Sequence, residues 1–160
     1  MATSNTNLSD YNKESLPDVS GLRFGIVVSQ WNKNITDGLY NGAHSALIDC
    51  GISKDNIDKL EVPGSFELIY GAKILAKRKC DAIICLGSII QGETKHFDYV
   101  CQGVTNGIKD LNISLDIPVI FGVLTDNTMD QAINRSGGKH GNKGVEAAIT
   151  AIKMADLNQN

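Results

Sequence analysis

Five apolar residues in a row, Ala82-Ile83-Ile84-Cys85-Leu86, restrict the fold of this chain more than any other feature. A run with no polar position has no face to offer water, and its length suits a strand, so it predicts a strand covered on both sides. The run leads into Gly87-Ser88-Ile89-Ile90-Gln91-Gly92-Glu93-Thr94-Lys95-His96-Phe97, after which a helix is expected over Thr94–Lys109. A strand that breaks at glycines and returns as a helix leaves unpaired backbone N–H groups at the helix start. It also aims the helix's positive end over the sheet edge. His96 falls in that first turn, and an imidazole beside an anion cradle suits proton transfer on a phosphorylated or acidic small molecule.

The remaining segments alternate in the same way. Arg23–Ser29 is a β-rich run that ends at Gln30-Trp31-Asn32, and Ile35–Cys50 follows as a helix stopped by Gly51. Ile57–Val62 is a second strand, closed by Pro63-Gly64, after which Ser65 is placed to cap a helix bearing Leu68, Ala72, Leu75 and Ala76 on one side. The third strand is expected over Asp81–Ile90 and the fourth over Pro118–Leu124, with a short helix near Asn127–Arg135. A last helix starts near Asn142, with Val145, Ala148, Ile149 and Ile152 at helical spacing. Strands and helices alternating over short loops predict an α/β domain, a four-stranded parallel sheet with helices on both faces.

Composition removes several function classes. A chain of 160 residues is one domain, read as residues 21–160 behind a polar N-terminal arm, residues 1–20, that is flexible or orders on a partner. A net charge of −3 argues against a nucleic-acid partner, and no apolar run reaches the length of a membrane helix. The N-terminus has no apolar core of a secretory signal. The cysteines, Cys50, Cys80, Cys85 and Cys101, form no C-x-x-C pair and read as reduced thiols of a cytoplasmic protein, and no His/Cys cluster has metal-ligand spacing.

In a parallel sheet, ligands sit over the carboxyl ends of the strands. Trp31, Ser65–Glu67 and Ser88–His96 all fall at such ends. Trp31 reads equally as a packed aromatic or as a ring that stacks on a flat heterocycle. Ser65 and Glu67 fit local helix capping, or hydrogen bonding to a polyhydroxylated ligand. His96 is a surface residue or a catalytic one, and its Gly92-Glu93-Thr94 context favours the second. Gly137–Gly144, with two lysines, is no P-loop, and reads as a connector or subunit contact. Arg135 is a surface arginine or a fork for phosphate. Phe121 does not fit, because it lies inside a strand and away from the strand-end crevice.

These segments together resemble the lumazine synthase family of riboflavin biosynthesis. The resemblance rests on Phe24–Asn32, on Val62-Pro63-Gly64-Ser65-Phe66-Glu67, on Gly87–Asp98, on Pro118–Thr125, on Gln131–Arg135 and on Gly141-Asn142-Lys143-Gly144. It implies a flavodoxin-like three-layer sandwich. It also implies condensation of 5-amino-6-(D-ribitylamino)uracil with 3,4-dihydroxy-2-butanone 4-phosphate to 6,7-dimethyl-8-ribityllumazine, with loss of phosphate and water and no cofactor or metal. By the same resemblance Trp31 would stack on the pyrimidine. Ser65, Phe66 and Glu67 would meet the ribityl chain and ring, and Ser88, Ile89 and Ile90 would line the ring pocket. Glu93 and Thr94 would hold the phosphate, His96 would donate the proton, and Phe121 and Arg135 would reach in from a neighbouring subunit. Gln91 stands where many members carry arginine, and Glu93 where many carry a small residue.

For assembly, the resemblance implies pentamers with sites between neighbours, in some members packed twelve at a time into a shell of sixty copies that could enclose riboflavin synthase. The short Gly137–Gly144 favours the shell. The N-terminal arm would add to an adjacent subunit's sheet. Two other readings share the fold: a flavin- or lumazine-binding protein without turnover, and an inactive shell subunit. His96 together with Arg135 favours the enzyme.

Overall fold

The computed structural model describes residues 7–159; of the expected arm, residues 1–6 lie outside this range. The elements are β1 (Phe24–Ser29), α1 (Lys33–Asp49), β2 (Ile57–Val62), α2 (Leu68–Ala76), β3 (Ala82–Ile90), α3 (His96–Ser114), β4 (Val119–Asp126), α4 (Met129–Arg135), β5 (Ser136–Gly138), β6 (Gly141–Asn142) and α5 (Lys143–Leu157). The four long strands form one parallel sheet in the order β2-β1-β3-β4. The uninterrupted apolar run sits where its lack of a wet face requires, in central β3, with Ala82 through Ile89 all buried.

Connection handedness distributes the helices. The chain steps one way from β1 to β2 and the other way from β2 to β3 and on to β4. Right-handed crossovers therefore place α1 on one face and α2 and α3 on the other. The two cores match. Phe24, Ile26, Val28, Ile84 and Leu86 pack with Leu39, Ala43 and Leu47 of α1 and Ala148 and Ile152 of α5. The alternate positions Val27, Ile83 and Cys85 pack with Leu68, Ala72 and Leu75 of α2 and Val104 and Ile108 of α3. This is a flavodoxin-like three-layer α/β sandwich. No helix among the described residues is long and apolar enough to cross a membrane.

The structure departs from the sequence expectations at element ends. Ser65 does not cap α2: its hydroxyl is buried without a hydrogen-bond partner, and the helix begins at Leu68 after a turn closed by the Leu68 N–H donating to the Ser65 carbonyl at 3.3 Å. α3 runs past Lys109 to Ser114 because the Asn112 amide pins its end. Asn112 Nδ2 donates to the Ile108 and Val119 carbonyls, and Oδ1 accepts from the Val119 N–H at 2.9 Å. β4 runs on to Asp126 because Thr125 and Asp126 pair with Ile89 and Ile90 of β3.

The glycine-rich connector is a small hairpin, β5–β6, built around Asn142. Its Oδ1 caps α5 by accepting from the Gly144 N–H at 2.8 Å, while Nδ2 donates to the carbonyls of Gly38 on α1 and Ser136 on β5. Residues 7–20 run beside this hairpin and α1. The Leu8 N–H donates to the His140 carbonyl, Ser9 Oγ accepts from the Asn142 N–H, Tyr11 Oη donates to Asp49, and Leu8 and Val19 are buried.

Asn142→Ala is expected to destabilise the fold by about 1–3 kcal/mol, because it removes a cap and orphans two carbonyls. Asn142→Asp keeps the cap acceptor but loses both donated bonds, so its thermal midpoint should fall nearly as far. An Asp variant as stable as the parent would show that the cap alone matters.

Candidate active site

The order β2-β1-β3-β4 places the topological switch point between β1 and β3, where a crevice opens above the strand ends. Short-range bonds fix the three loops around it. The Gln30 and Trp31 N–H groups donate to the carbonyls of Val62 and Pro63, which ties the end of β1 to the end of β2. Asn32 adopts the left-handed conformation, φ 57°, and its Nδ2 donates to the Ser88 carbonyl at 3.0 Å, which ties β1 to β3. An asparagine tolerates that backbone better than most residues. With its backbone held on both sides, Trp31 leaves its side chain 71% exposed.

The crevice is a cavity of about 660 Å³. Trp31, Ser65, Phe66 and Glu67 form one wall, and Ser88, Ile89 and Ile90 form the floor. Gly92, Thr94 and His96 close it from the α3 side, joined by Phe97, Tyr99 and Val100. Phe66 leans on α3 at Gly103, where a Cβ would come within 2.8 Å of its ring. Gly87 is needed for a similar reason, since a Cβ there would meet Ser65 Oγ at 2.6 Å.

Two features of the lining call for a polar ligand. Ser65 and Ser88 are both at least nine-tenths buried, and neither hydroxyl has a hydrogen-bond partner. A buried unpaired hydroxyl costs about 1–3 kcal/mol, which a polyhydroxylated ligand would recover. At the other end, α3 opens without a charged cap. The His96 N–H donates to Thr94 Oγ1 at 3.3 Å, and the Asp98 and Tyr99 N–H groups donate to the Lys95 carbonyl. The positive end of the helix dipole, rather than a row of free donors, therefore faces this side of the cavity. His96 is the first helical residue and is exposed, so its imidazole can reach a bound molecule.

Of the expected residues, Glu93 does not join this cavity, and Phe121 and Arg135, expected from a neighbouring copy, lie outside it. Glu93 is exposed and outside its lining. Phe121 lies partway along β4 and lines a separate depression of about 490 Å³ with Asp98, Cys101 and Thr125. Arg135 ends α4, donates from Nη1 to the Gln131 carbonyl at 3.0 Å, and lies 3.9 Å from Asp126 Oδ1. Asn32 was not foreseeable from the sequence, because its role depends on a backbone conformation that no spacing reveals. Tyr99 and Val100 did carry a signal, since their places three and four residues after His96 set them on its helical face.

The thiols are not placed for chemistry. Burial pushes Cys85 up to about 12 and Cys80 up to about 11, so both stay protonated and weakly nucleophilic. Among the described residues no group of three or more His, Cys, Asp or Glu side chains could hold a metal ion. What the cavity offers is an exposed ring for stacking, two buried hydroxyls, the positive end of a helix and an imidazole.

Residues 21–159 match the sequence model of the 6,7-dimethyl-8-ribityllumazine synthase family. The chain is 64% identical to the 6,7-dimethyl-8-ribityllumazine synthase of Flavobacterium johnsoniae over 99% of its own length and 84% of that protein's. It is 61% identical to the enzyme of the same name from Christiangramia forsetii, over 98% of this chain and 95% of the other. For the one from Porphyromonas gingivalis the identity is 56%, over 98% of each chain. The matched span contains every residue that lines the strand-end cavity, and the chain belongs to the 6,7-dimethyl-8-ribityllumazine synthase family.

Proposed function

We propose that this protein condenses 5-amino-6-(D-ribitylamino)uracil with 3,4-dihydroxy-2-butanone 4-phosphate to give 6,7-dimethyl-8-ribityllumazine, releasing phosphate and water. The observation that carries this reading is the single strand-end cavity in which Trp31, the unpartnered Ser65 and Ser88 hydroxyls, and His96 at the start of α3 share one wall-to-wall space. Each end of the cavity suits one part of the chemistry. The pyrimidine stacks on Trp31 over Ile89 and Ile90, and the ribityl hydroxyls meet Ser65, Phe66 and Glu67. The phosphate meets the α3 start through Thr94 and the Glu93 backbone, where the helix dipole favours an anion.

The reaction needs orientation more than machinery. The aryl amine attacks the ketone, and the carbinolamine loses water to form an imine. Phosphate then leaves by elimination, the resulting enol becomes a ketone, and the second amine closes the ring on that carbonyl with loss of a second water. Holding two reactants face to face supplies much of the acceleration. His96 moves protons between the amine nitrogen, the departing hydroxyl and the leaving phosphate.

Arg135 and Phe121 lie outside their own chain's cavity, and we assign them to the cavity of an adjoining copy, with the Arg135 guanidinium on the phosphate. The protein then acts as a homopentamer with sites between subunits, assembled further into a shell of sixty copies able to enclose riboflavin synthase. The shortness of the β5–β6 hairpin supports the shell. Four free cysteines suit the reducing cytoplasm. Residues 7–20 pack on the β5–β6 hairpin and α1 with Val19 in the core, so they belong with the single domain expected over residues 21–160 rather than to a separate arm.

Mixing both substrates and following the fluorescent lumazine tests the reaction itself; no product above the uncatalysed rate would remove it. His96→Ala is expected to lower turnover about 10²-fold while leaving residual activity from orientation alone. A turnover number equal to the parent's would take the proton-shuttling role away from His96. Arg135→Ala is expected to raise KM for the phosphate substrate about 10-fold or more, as for a lost hydrogen bond to a charged group, with KM for the pyrimidine little changed. For assembly, light scattering on the native protein should report a particle of about sixty copies; a mass near five copies would confine it to the pentamer.

A further inference from the structure

We infer that Asp126 is a positioning residue whose carboxylate sets the orientation in which the Arg135 guanidinium meets a phosphate group. The inference rests on the phosphate role proposed for Arg135. Asp126 is the last residue of β4, and only 7% of it is exposed. Its Oδ2 is buried with no hydrogen-bond partner, and its Oδ1 lies 3.9 Å from Arg135 Nη1. A carboxylate held at that depth is costly unless a positive charge compensates it. Burial pushes the Asp126 carboxyl above the usual range, and the Arg135 guanidinium pulls it back.

The geometry makes this carboxylate a stiff anchor. Asp126 pairs with Ile90 of β3, and its carbonyl accepts from the Gln91 N–H at 2.9 Å, so the sheet fixes its backbone. The pair distance is close enough for charge attraction but too long for a hydrogen bond, so the carboxylate orients the guanidinium without consuming its donors. One donor goes to the Gln131 carbonyl on α4. The two constraints, one from the helix and one from the strand end, set the plane of the fork. Its remaining donors stay free for the paired bonds that a phosphate accepts. The Arg135 side chain is 28% exposed, so that free edge is open to a ligand from outside the chain's own cavity.

A double-mutant cycle on the intact assembled protein tests this, read by calorimetry with inorganic phosphate and by KM for the phosphate substrate. Asp126→Asn keeps the side-chain shape and removes the charge; Asp126→Ser serves if the amide blocks assembly. In the parent background, phosphate affinity should fall about 5-fold or more and KM should rise in step, with turnover within about 2-fold. In an Arg135→Ala background the same change should add nothing. Unchanged or tighter phosphate binding, or an equal loss with and without Arg135, overturns the inference. If no lumazine forms but the phosphate cycle keeps its coupling, the proposed reaction falls and the positioning role stands. Turnover without coupling removes the positioning role and leaves the reaction in place.

Discussion

The burial of β3 from both sides is the constraint on which the rest of the molecule depends. Residues 82–89 have no wet face, so parallel neighbours must flank the strand and helices must cover both surfaces. Each large side chain placed there contributes about 1.5–3 kcal/mol of burial. Parallel strands point the same way, so all their carboxyl ends meet at one edge. That edge is where the order β2-β1-β3-β4 opens a crevice, and where Trp31, Ser65, Ser88 and His96 converge from widely separated sequence positions. The site follows from the way one strand is buried.

Much of this was legible in the residues. β2 falls on its expected bounds, and the apolar runs locate the other strands to within a residue or two at most ends. Periodicity found the helices because their buried positions follow a regular turn. What escaped shares a physical cause: it depends on contacts distant in sequence. Ser65 looked like a helix cap because a serine before an apolar run usually is one, yet the nearness of Gly87 buries its hydroxyl over β3 instead. The β5–β6 hairpin has no alternation to announce it and exists because Asn142 gathers carbonyls from α1 and β5. Asp126 lies beyond the expected end of the fourth strand at Leu124, and only the fold places it beside Arg135.

One chain supplies a cavity but not everything a doubly anchored substrate pair needs. The imidazole of His96 lines the strand-end space, whereas Arg135 stands at the end of α4 and Phe121 on the flank of β4 beside α3. No local rearrangement of α4 is needed if an adjoining copy presents these groups. On the proposed reading, the phosphate end would draw on the helix start within the chain and on a guanidinium from beyond it. If the site is divided across an interface as proposed, assembly is linked to turnover, because a lone subunit would hold the pyrimidine end without closing the phosphate end.

That division is the central claim, and subunit complementation tests it most directly. Coexpressing His96→Ala and Arg135→Ala chains in equal amounts gives mixed rings in which about a quarter of the interfaces pair an intact imidazole with an intact guanidinium. Lumazine formation at low phosphate-substrate concentration should then exceed the mean of the two parent variants by a wide margin. A mixed assembly no more active than that mean would contradict a site shared between copies.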